Sequence, residues 1–201
     1  MTYTLRRYQS YQEYLNDEQL SNEQNYRLLS TGEIIEVPLE NDINRLIACV
    51  LIGEILKTKG IGFIRYLCRG DKDLQVKPFG DRWVNRKPDI MVMRPEHLAI
   101  ATQAILLEMP APPFVAEVVS PGNESSDNYL RDYVWKRQQY EWWQIPEYWI
   151  IDPHRDQVSV LTLIKGTYQA VIYRGQDTMD SITFPTLSLS AEALIAGQID
   201  D

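Results

Sequence analysis

The sequence predicts an α/β or α+β fold, in which a mixed central β-sheet is flanked by helices and extended by additional β-hairpins. Short apolar runs of strand length dominate the chain. Two longer segments, residues 41–60 and 123–143, carry apolar residues at helical spacing and separate the groups of strands. We therefore expect one domain over residues 1–201.

The chain opens with a predicted short helix in SYQEYLNDE, because Ser10 and Glu13 have the spacing of a capping box. The segment YRLLSTGEIIEVPL, residues 26–39, reads as a hairpin that turns at Thr31 and Gly32. These signals predict a helix followed by a pair of strands.

A strong helix is predicted from Asn41 to Gly60, with Asn41 or Asp42 as its N-cap and Gly60 as its stop. Its apolar stripe is predicted to contain Ile43, Leu46, Ile47, Val50 and Leu51. Five strands are predicted to follow, in GFIRYLC, LQVKPF, RWVNR, PDIMVM and FVAEVV.

The second long helix is predicted in NESSDNYLRDYVWKRQQYEWW, after a Pro-Gly break and before Pro146. The strand EYWIID comes next, and QVSVLTLI with TYQAVIYR forms a hairpin around Lys165 and Gly166. A short helix in SAEALIAG, ended by Gly197, completes the predicted order.

Composition limits the possible functions. The net charge of -8 argues against a general nucleic-acid coat, although a local basic groove or a bound metal remains compatible with it. The two cysteines have no metal-ligand spacing and favour a reducing compartment. With neither a signal peptide nor an apolar run of transmembrane length, we expect a soluble, cytoplasmic protein without a membrane partner.

Glu117 is the first residue that departs from the apolar pattern of the predicted strands. It lies in the middle of FVAEVV, which is otherwise apolar on both faces, as in a strand that is covered on each side. A charged carboxylate buried there costs several kcal/mol of folding free energy unless it is paired, hydrogen-bonded or bound to a metal. Burial alone is also compatible with a structural role, in which Glu117 pairs with an Arg or Lys across the sheet.

Two further residues change that balance. Asp89 follows a proline and immediately precedes an apolar run, which places it at the start of a strand. Lys136 lies in the middle of an aromatic helix stripe that contains Tyr129, Tyr133, Tyr140 and Trp143. Lys136 could also snorkel or pair with Asp132 one turn earlier, but the three anomalies together predict a metal-and-lysine site.

This set of residues suits phosphodiester hydrolysis. Two carboxylates, with a backbone carbonyl such as that of Val118, supply the oxygen ligands that Mg²⁺ prefers, and Mn²⁺ is an alternative. A bound metal lowers the pKa of water and offsets charge on phosphorus, while Lys136 orients or activates the attacking water.

The motifs PDIMVM, AEVVSP, DYVWKRQQY and IPEYWIIDP, in this order, resemble the Uma-two family of bacterial proteins, a branch of the PD-(D/E)xK restriction-endonuclease-like superfamily. The matching region runs from about Tyr26 to Pro153, with hairpins and a short helix at 154–201. The resemblance implies a metal-dependent nuclease core in which Asp89 is the acid of the PD half-motif and Glu117 the acid of the ExK half-motif. The family has its lysine on the following helix, and this lysine maps onto Lys136, with Tyr140 four residues later.

Val119 stands where the wider superfamily usually has its lysine, which the family resembled here has on the following helix. The sequence departs from the family pattern in two places: SPGNESSDN is longer than the usual connection, and Gln144-Ile145 replaces a common Gly-Val. These departures leave the site residues intact but change the loops around them.

Secondary candidates have simpler interpretations. Glu54 continues the stripe of the first long helix and could approach the metal, although a charged residue at the edge of an apolar stripe is the commoner reading. Trp135 and Trp142 form a second ridge on the later helix, which could stack bases but more often marks packing or a subunit interface. We expect a homodimer.

The leading hypothesis is a Mg²⁺-dependent DNA endonuclease. A catalytically silent interaction or DNA-binding module that keeps the fold is the alternative, favoured by the acidic net charge. Glycoside hydrolysis by Asp89 and Glu117 ranks last, because it gives Lys136 no role.

Overall fold

The computed structural model describes residues 7–17, 26–36, 42–79, 83–100, 103–120 and 126–197. The α-helices are α1 (Tyr11–Leu15), α2 (Asp42–Lys59), α3 (Pro95–Ile100), α4 (Asp127–Tyr129), α5 (Lys136–Trp142) and α6 (Ala191–Ile195). A 3-10 helix spans Ile61–Tyr66, and a π-helix spans Leu130–Trp135 between α4 and α5.

The strands form three sheets. Their bounds are β1 (Tyr26–Leu28), β2 (Ile34–Glu36), β3 (Leu67–Cys68), β4 (Asp73–Gln75), β5 (Asn85–Arg86), β6 (Ile90–Val92), β7 (Ala104–Ile105), β8 (Phe114–Val118), β9 (Glu147–Asp152), β10 (Gln157–Ile164) and β11 (Thr167–Tyr173). The central sheet has the order β11-β10-β9-β8-β6-β3, beside a β1-β2 hairpin and a β5-β4-β7 sheet. The β8-β9 pair is parallel and its neighbours are antiparallel, so the predicted mixed α+β fold is confirmed.

Strand β8 separates two apolar cores because its side chains alternate between the faces of the central sheet. Ala116 and Val118 pack with buried residues of α2 on one face. Val115 and Val119 pack with Tyr140 of α5 on the other. Since Glu117 lies on the same face as Val115 and Val119, its carboxylate lies beneath α5.

Several local predictions are confirmed. The Ser10 hydroxyl accepts a hydrogen bond from Glu13 N at 3.1 Å, as an N-cap residue does. Strands β1 and β2 pair from Tyr26 to Glu36. Helix α2 ends before Gly60, whose φ of 82° is accessible to glycine at little cost.

The apolar stripe predicted for α2 is partly wrong. Ile43 and Leu46 are 62% and 51% exposed, whereas Asn44 is 3% exposed. The helix therefore turns a polar residue toward the sheet at its N-terminal end. Its proposed N-cap residue Asn41 lies outside the described residues.

The prediction of a strand in GFIRYLC is wrong over most of its length. Residues Ile61–Tyr66 form the 3-10 helix, in which Ile61 and Ile64 are more than half exposed, and the strand contains only Leu67–Cys68. Short apolar runs do not distinguish a strand from a helical turn.

Sequence reasoning missed helix α3 and strand β7, although Pro95 at the first position of α3 is a recognised helix-start signal. It also placed one uninterrupted helix over residues 123–143. The helix begins after Ser126, whose hydroxyl accepts from Tyr129 N, and its middle is π-helical. The proposed Pro121-Gly122 break lies outside the described residues.

Within the ranges that the structure describes, no helix combines the length and apolar character needed to cross a bilayer.

Candidate active site

Glu117 lies in the centre of the sheet, on a strand that is paired on both sides, and is 1% exposed. Both of its carboxylate oxygens have partners. The Tyr140 hydroxyl donates to Oε1 at 2.7 Å, and Lys136 Nζ lies 2.8 Å from Oε2. Helix α5 supplies both groups from one face, since the two residues are four apart.

Asp89 immediately precedes β6, and the pairing of Ile90 with Ala116 places it opposite Glu117 when the register is extended by one residue. Directly opposite residues of an antiparallel pair project to the same face. Asp89 Oδ2 accepts the backbone N–H of Val118 at 2.6 Å. The structure thus brings the two predicted acids together.

Lys136 is the first residue of α5 and lies between two carboxylates. Its Nζ is 2.7 Å from Asp132 Oδ1, in addition to its contact with Glu117, and its side chain is 11% exposed. Asp132 is 1% exposed, and its Oδ2 has no hydrogen-bond partner within the described residues. Lysine therefore bridges two buried acids, one on the sheet and one in the π-helical segment.

Two buried tyrosines complete this network. Burial, followed by the negative charge of Glu117, raises the pKa of Tyr140 and of Tyr148 well above the ordinary value. Both hydroxyls consequently stay protonated and act as donors. Tyr148 donates to the backbone carbonyl of Asp132 at 3.0 Å, which ties the π-helical segment to strand β9.

The Val118 carbonyl, predicted as a metal ligand, already has a partner. Asn44 Nδ2 of helix α2 donates to it at 3.2 Å from the opposite side of the sheet. A carbonyl oxygen has two lone pairs, so this hydrogen bond leaves one acceptor position.

Glu54 lies away from this group. It is paired with Lys57 at 2.9 Å on its own helix. It also follows Asn44 by ten residues, which is about 15 Å along a helix. The structure therefore matches the simpler interpretation of Glu54 as a charged residue at the edge of the helix.

The donor set fits a hard divalent cation. Asp89 and Glu117 are adjacent carboxylates, and each carboxylate oxygen can accept more than one interaction. The described residues contain no cluster of three or more His, Cys, Asp or Glu side chains arranged around one ion position. Two carboxylates and a carbonyl suit Mg²⁺, which keeps several waters and takes phosphate oxygens as further ligands.

Sequence reasoning missed two members of the network. Asp132 was considered only as an alternative partner of Lys136, yet it contacts the same lysine that Glu117 does. Asn44 gave no signal beyond being a polar residue one position from the predicted stripe. Its burial and its contact with Val118 depend on how α2 crosses the sheet, which the helical period alone does not specify.

The tryptophan ridge on the later helix is only partly exposed. Trp142 is 45% exposed and packs near Phe79, with Lys77 Nζ 4.9 Å from its ring centroid. Trp135 is half-buried.

Comparison with solved structures supports the fold. A crystal structure described as "a putative nuclease belonging to DUF820 from Anabaena variabilis ATCC 29413" superposes with a TM-score of 0.56. The two sequences are 18% identical, and the match covers 83% of this chain and 87% of the other. No protein among the curated sequences matches the chain significantly.

Comparison with family models identifies one that extends over residues 9–192, which includes every residue of the site described above. This family is described as "Putative restriction endonuclease", which supports a nuclease function, and restriction-endonuclease-like families generally use a divalent metal ion. The match spans far more than half of the sequence, and the chain therefore belongs to the Uma2 family.

Proposed function

We propose that this chain is a divalent-metal-dependent endonuclease that hydrolyses DNA phosphodiester bonds. Asp89 and Glu117 hold Mg²⁺ or Mn²⁺, with the Val118 carbonyl as a further ligand. When bound, the ion supplies Lewis-acid stabilisation of charge on the phosphate and a more acidic water.

Lys136 assists the attacking water in this proposal. Its ammonium group, held between Glu117 and Asp132, orients the water by donating a hydrogen bond and stabilises negative charge that develops at the phosphate. Tyr140 fixes the other Glu117 oxygen, so that the carboxylate keeps one orientation. Asp132 is a positioning residue, because it acts through Lys136.

The observation that carries the proposal is the convergence of three residues from different elements. Lys136 is 2.8 Å from Glu117, while Asp89 holds the amide of the next residue at 2.6 Å. A lysine beside acids on two central strands of the sheet suits metal-assisted hydrolysis of a phosphodiester.

The experiment that tests this proposal measures cleavage of supercoiled plasmid DNA with Mg²⁺ or Mn²⁺, with an RNA of matched length as the alternative substrate. We expect the wild type to nick DNA and Lys136→Ala to be slower by about 10²–10³-fold, the usual effect of losing one electrostatic stabiliser. Lys57→Ala is the matched control, because Lys57 forms a surface pair with Glu54 away from the site.

A single observation favours a second candidate, a catalytically silent nucleic-acid-binding module. Both Glu117 oxygens and the Val118 carbonyl already have hydrogen-bond partners, as in a polar network kept for stability. Wild-type protein that binds DNA but cleaves no nucleic acid with any divalent metal would favour this module over the enzyme.

We also propose that the full chain forms one nuclease domain, that it acts in the cytoplasm and that it is a homodimer. The exposed ring of Trp142 supports the homodimer. Light scattering after size-exclusion chromatography tests it, with Trp142→Gln expected to shift the mass toward the monomer. Ile182→Gln, at another exposed apolar residue, is expected to leave the mass unchanged.

A further inference from the structure

Lys136 contacts the same carboxylate that the proposed metal ion needs. Tyr140 holds Oε1 of Glu117 at 2.7 Å, and Lys136 Nζ lies 2.8 Å from Oε2. The Tyr140 hydroxyl donates as a neutral group, whereas the ammonium group of Lys136 repels any cation on this carboxylate. Lys136 is therefore the partner of Glu117 that has to move when a divalent cation is bound there.

Asp132 has an unused acceptor beside this lysine. Its Oδ1 is 2.7 Å from Lys136 Nζ, and its side chain is 1% exposed. Arg131 Nε also approaches Oδ1, at 3.4 Å. Among the residues that the structure describes, Oδ2 of Asp132 is buried and has no hydrogen-bond partner. Because a buried acceptor without a partner costs free energy, it calls for an explanation, such as a role in catalysis.

The backbone that carries Asp132 is held in place. Asp132 lies in the π-helical segment Leu130–Trp135, after which the N–H of Lys136 bonds to the carbonyl of Arg131. The Asp132 carbonyl accepts the Tyr148 hydroxyl of strand β9 at 3.0 Å. Short π-helical segments within α-helices are frequent at functional sites. The lysine side chain is flexible and its three donors rotate, so Nζ can reach Oδ2 without movement of this backbone.

We propose that Asp132 is the positioning residue that receives Lys136 when a divalent cation occupies the Asp89–Glu117 site. Lys136 then leaves Oε2 of Glu117 and bonds to both oxygens of Asp132, and its third donor is left for the attacking water. This inference rests on the proposed metal-dependent function and deepens it. It also reconciles a metal site with a Glu117 whose two oxygens already have partners.

Isothermal titration calorimetry with Mn²⁺ at a single pH tests the proposal through metal affinity, without any cleavage. Lys136→Gln removes the competing charge but keeps a donor, and we expect it to bind Mn²⁺ about tenfold more tightly than the wild type. Asp132→Asn removes the charge that receives the lysine, and we expect about tenfold weaker binding.

The double variant separates this role from a direct effect of the Asp132 charge on the metal. In the Lys136→Gln background no ammonium group has to move. Adding Asp132→Asn to it should therefore change the Mn²⁺ affinity by less than about twofold. A residue that only stabilises the fold would not produce this dependence on Lys136.

Asp152→Asn is the matched control, because it also removes one buried negative charge near the site. Asp152 follows Ile150, the pairing partner of Glu117, by two residues, so the Cα atoms of Asp152 and Glu117 are roughly 8 Å apart. Its side chain bonds to Tyr133 and Arg155. The Mn²⁺ affinity of Asp152→Asn should stay within about twofold of the wild type.

A crystal structure of the wild type with Mn²⁺ gives a readout that does not depend on how the variants fold. Lys136 Nζ should lie within about 3.2 Å of Asp132 Oδ2 and outside hydrogen-bond distance of Glu117. An ion on Glu117 with the lysine unmoved would overturn the proposal.

The outcomes distinguish this proposal from the proposed function. Mn²⁺ binding that Asp132→Asn weakens equally with and without Lys136→Gln would overturn the role of Asp132 and keep the metal site. Unchanged or weaker binding by Lys136→Gln would also overturn that role. A wild type that binds no Mn²⁺ would remove the metal site and the inference together.

Discussion

Two lysines of this molecule are buried, but their surroundings differ. Lys136 is bonded to two acids at 2.8 and 2.7 Å, whereas Lys87 is 3.9 Å from its single acidic neighbour. Both side chains are almost fully enclosed, at 11% and 7% exposure. Burial alone therefore does not show how closely a lysine is paired; its distances to the neighbouring acids do.

The largest effect on stability is expected from the replacement of Lys136. Lys136→Met removes the ammonium group from two buried carboxylates, which keep, among the described residues, only Tyr140 on Glu117 and Arg131, 3.4 Å away, on Asp132, so we expect a loss of about 3–5 kcal/mol in the free energy of unfolding. Urea denaturation measures this loss. Lys57→Met breaks a surface pair in which the lysine is 48% exposed, and it should cost less than about 1 kcal/mol. Equal losses in the two variants would contradict the bridging role of Lys136.

A smaller effect is expected from the hydroxyl that holds the other Glu117 oxygen. Tyr140→Phe removes a buried hydrogen bond to a charged acceptor, with an expected loss of about 1.5–3 kcal/mol. Tyr168→Phe is the matched control, because the Tyr168 hydroxyl donates to the neutral carbonyl of Ile145 at 2.9 Å. Urea denaturation should place the Tyr168→Phe loss at about 0.5–1.5 kcal/mol, and the reverse order would contradict the greater strength assigned to the hydrogen bond between Tyr140 and Glu117.

Replacement of the incompletely paired Lys87 should lower the free energy of unfolding less than replacement of Lys136. Lys87→Met breaks no hydrogen bond, and Asp73 keeps its donors from Tyr11 and Asn85. We expect a loss of about 1–2 kcal/mol, well below that of Lys136→Met, in the same urea experiment. A loss as large as that of Lys136→Met would mean that Lys87 is a structural partner of Asp73.

The smallest expected effect is a dependence of stability on pH, and it comes from a histidine and not from either lysine. His97 is fully buried, its Nδ1 accepts from Arg94 N, and its Nε2 donates to the Pro110 carbonyl. Burial lowers its pKa below 6.5, so the unfolded chain takes up a proton first as the pH falls. Stability should then fall below pH 6.5 by at most about 1.4 kcal/mol per pH unit. His97→Gln should flatten this part of the stability curve, and an unchanged slope would assign the pH dependence to other groups.

Much of the fold could be predicted from periodicity and turn residues. The hairpins, the long helix that ends at Gly60 and the strand EYWIID were all evident, because each has a strong local signal. The 3-10 helix after Gly60 and the π-helical turn before Lys136 were not. Both depend on backbone geometry that neighbouring elements impose, and a hydrophobic pattern does not encode it.

The candidate site could be predicted as far as residues looked out of place. Glu117 in an apolar strand and Lys136 in an aromatic stripe are local anomalies, and the structure joins them at 2.8 Å. Asn44 and the incomplete pair of Lys87 and Asp73 are defined only by contacts between distant segments. Sequence alone gives no distance between such residues, so these features required the fold.

Metal-induced stabilisation of matched glutamate variants tests the central claim most directly. With Mn²⁺ at 100 times its Kd, the wild type should melt about 5–10 °C higher, and Glu117→Gln should lose this shift. Glu147→Gln is the control, because Glu147 is also fully buried but is satisfied by Trp149 Nε1 and the backbone N–H of Thr183. The account predicts a retained shift in Glu147→Gln and none in Glu117→Gln; an equal shift in all three proteins, or none in the wild type, would contradict it.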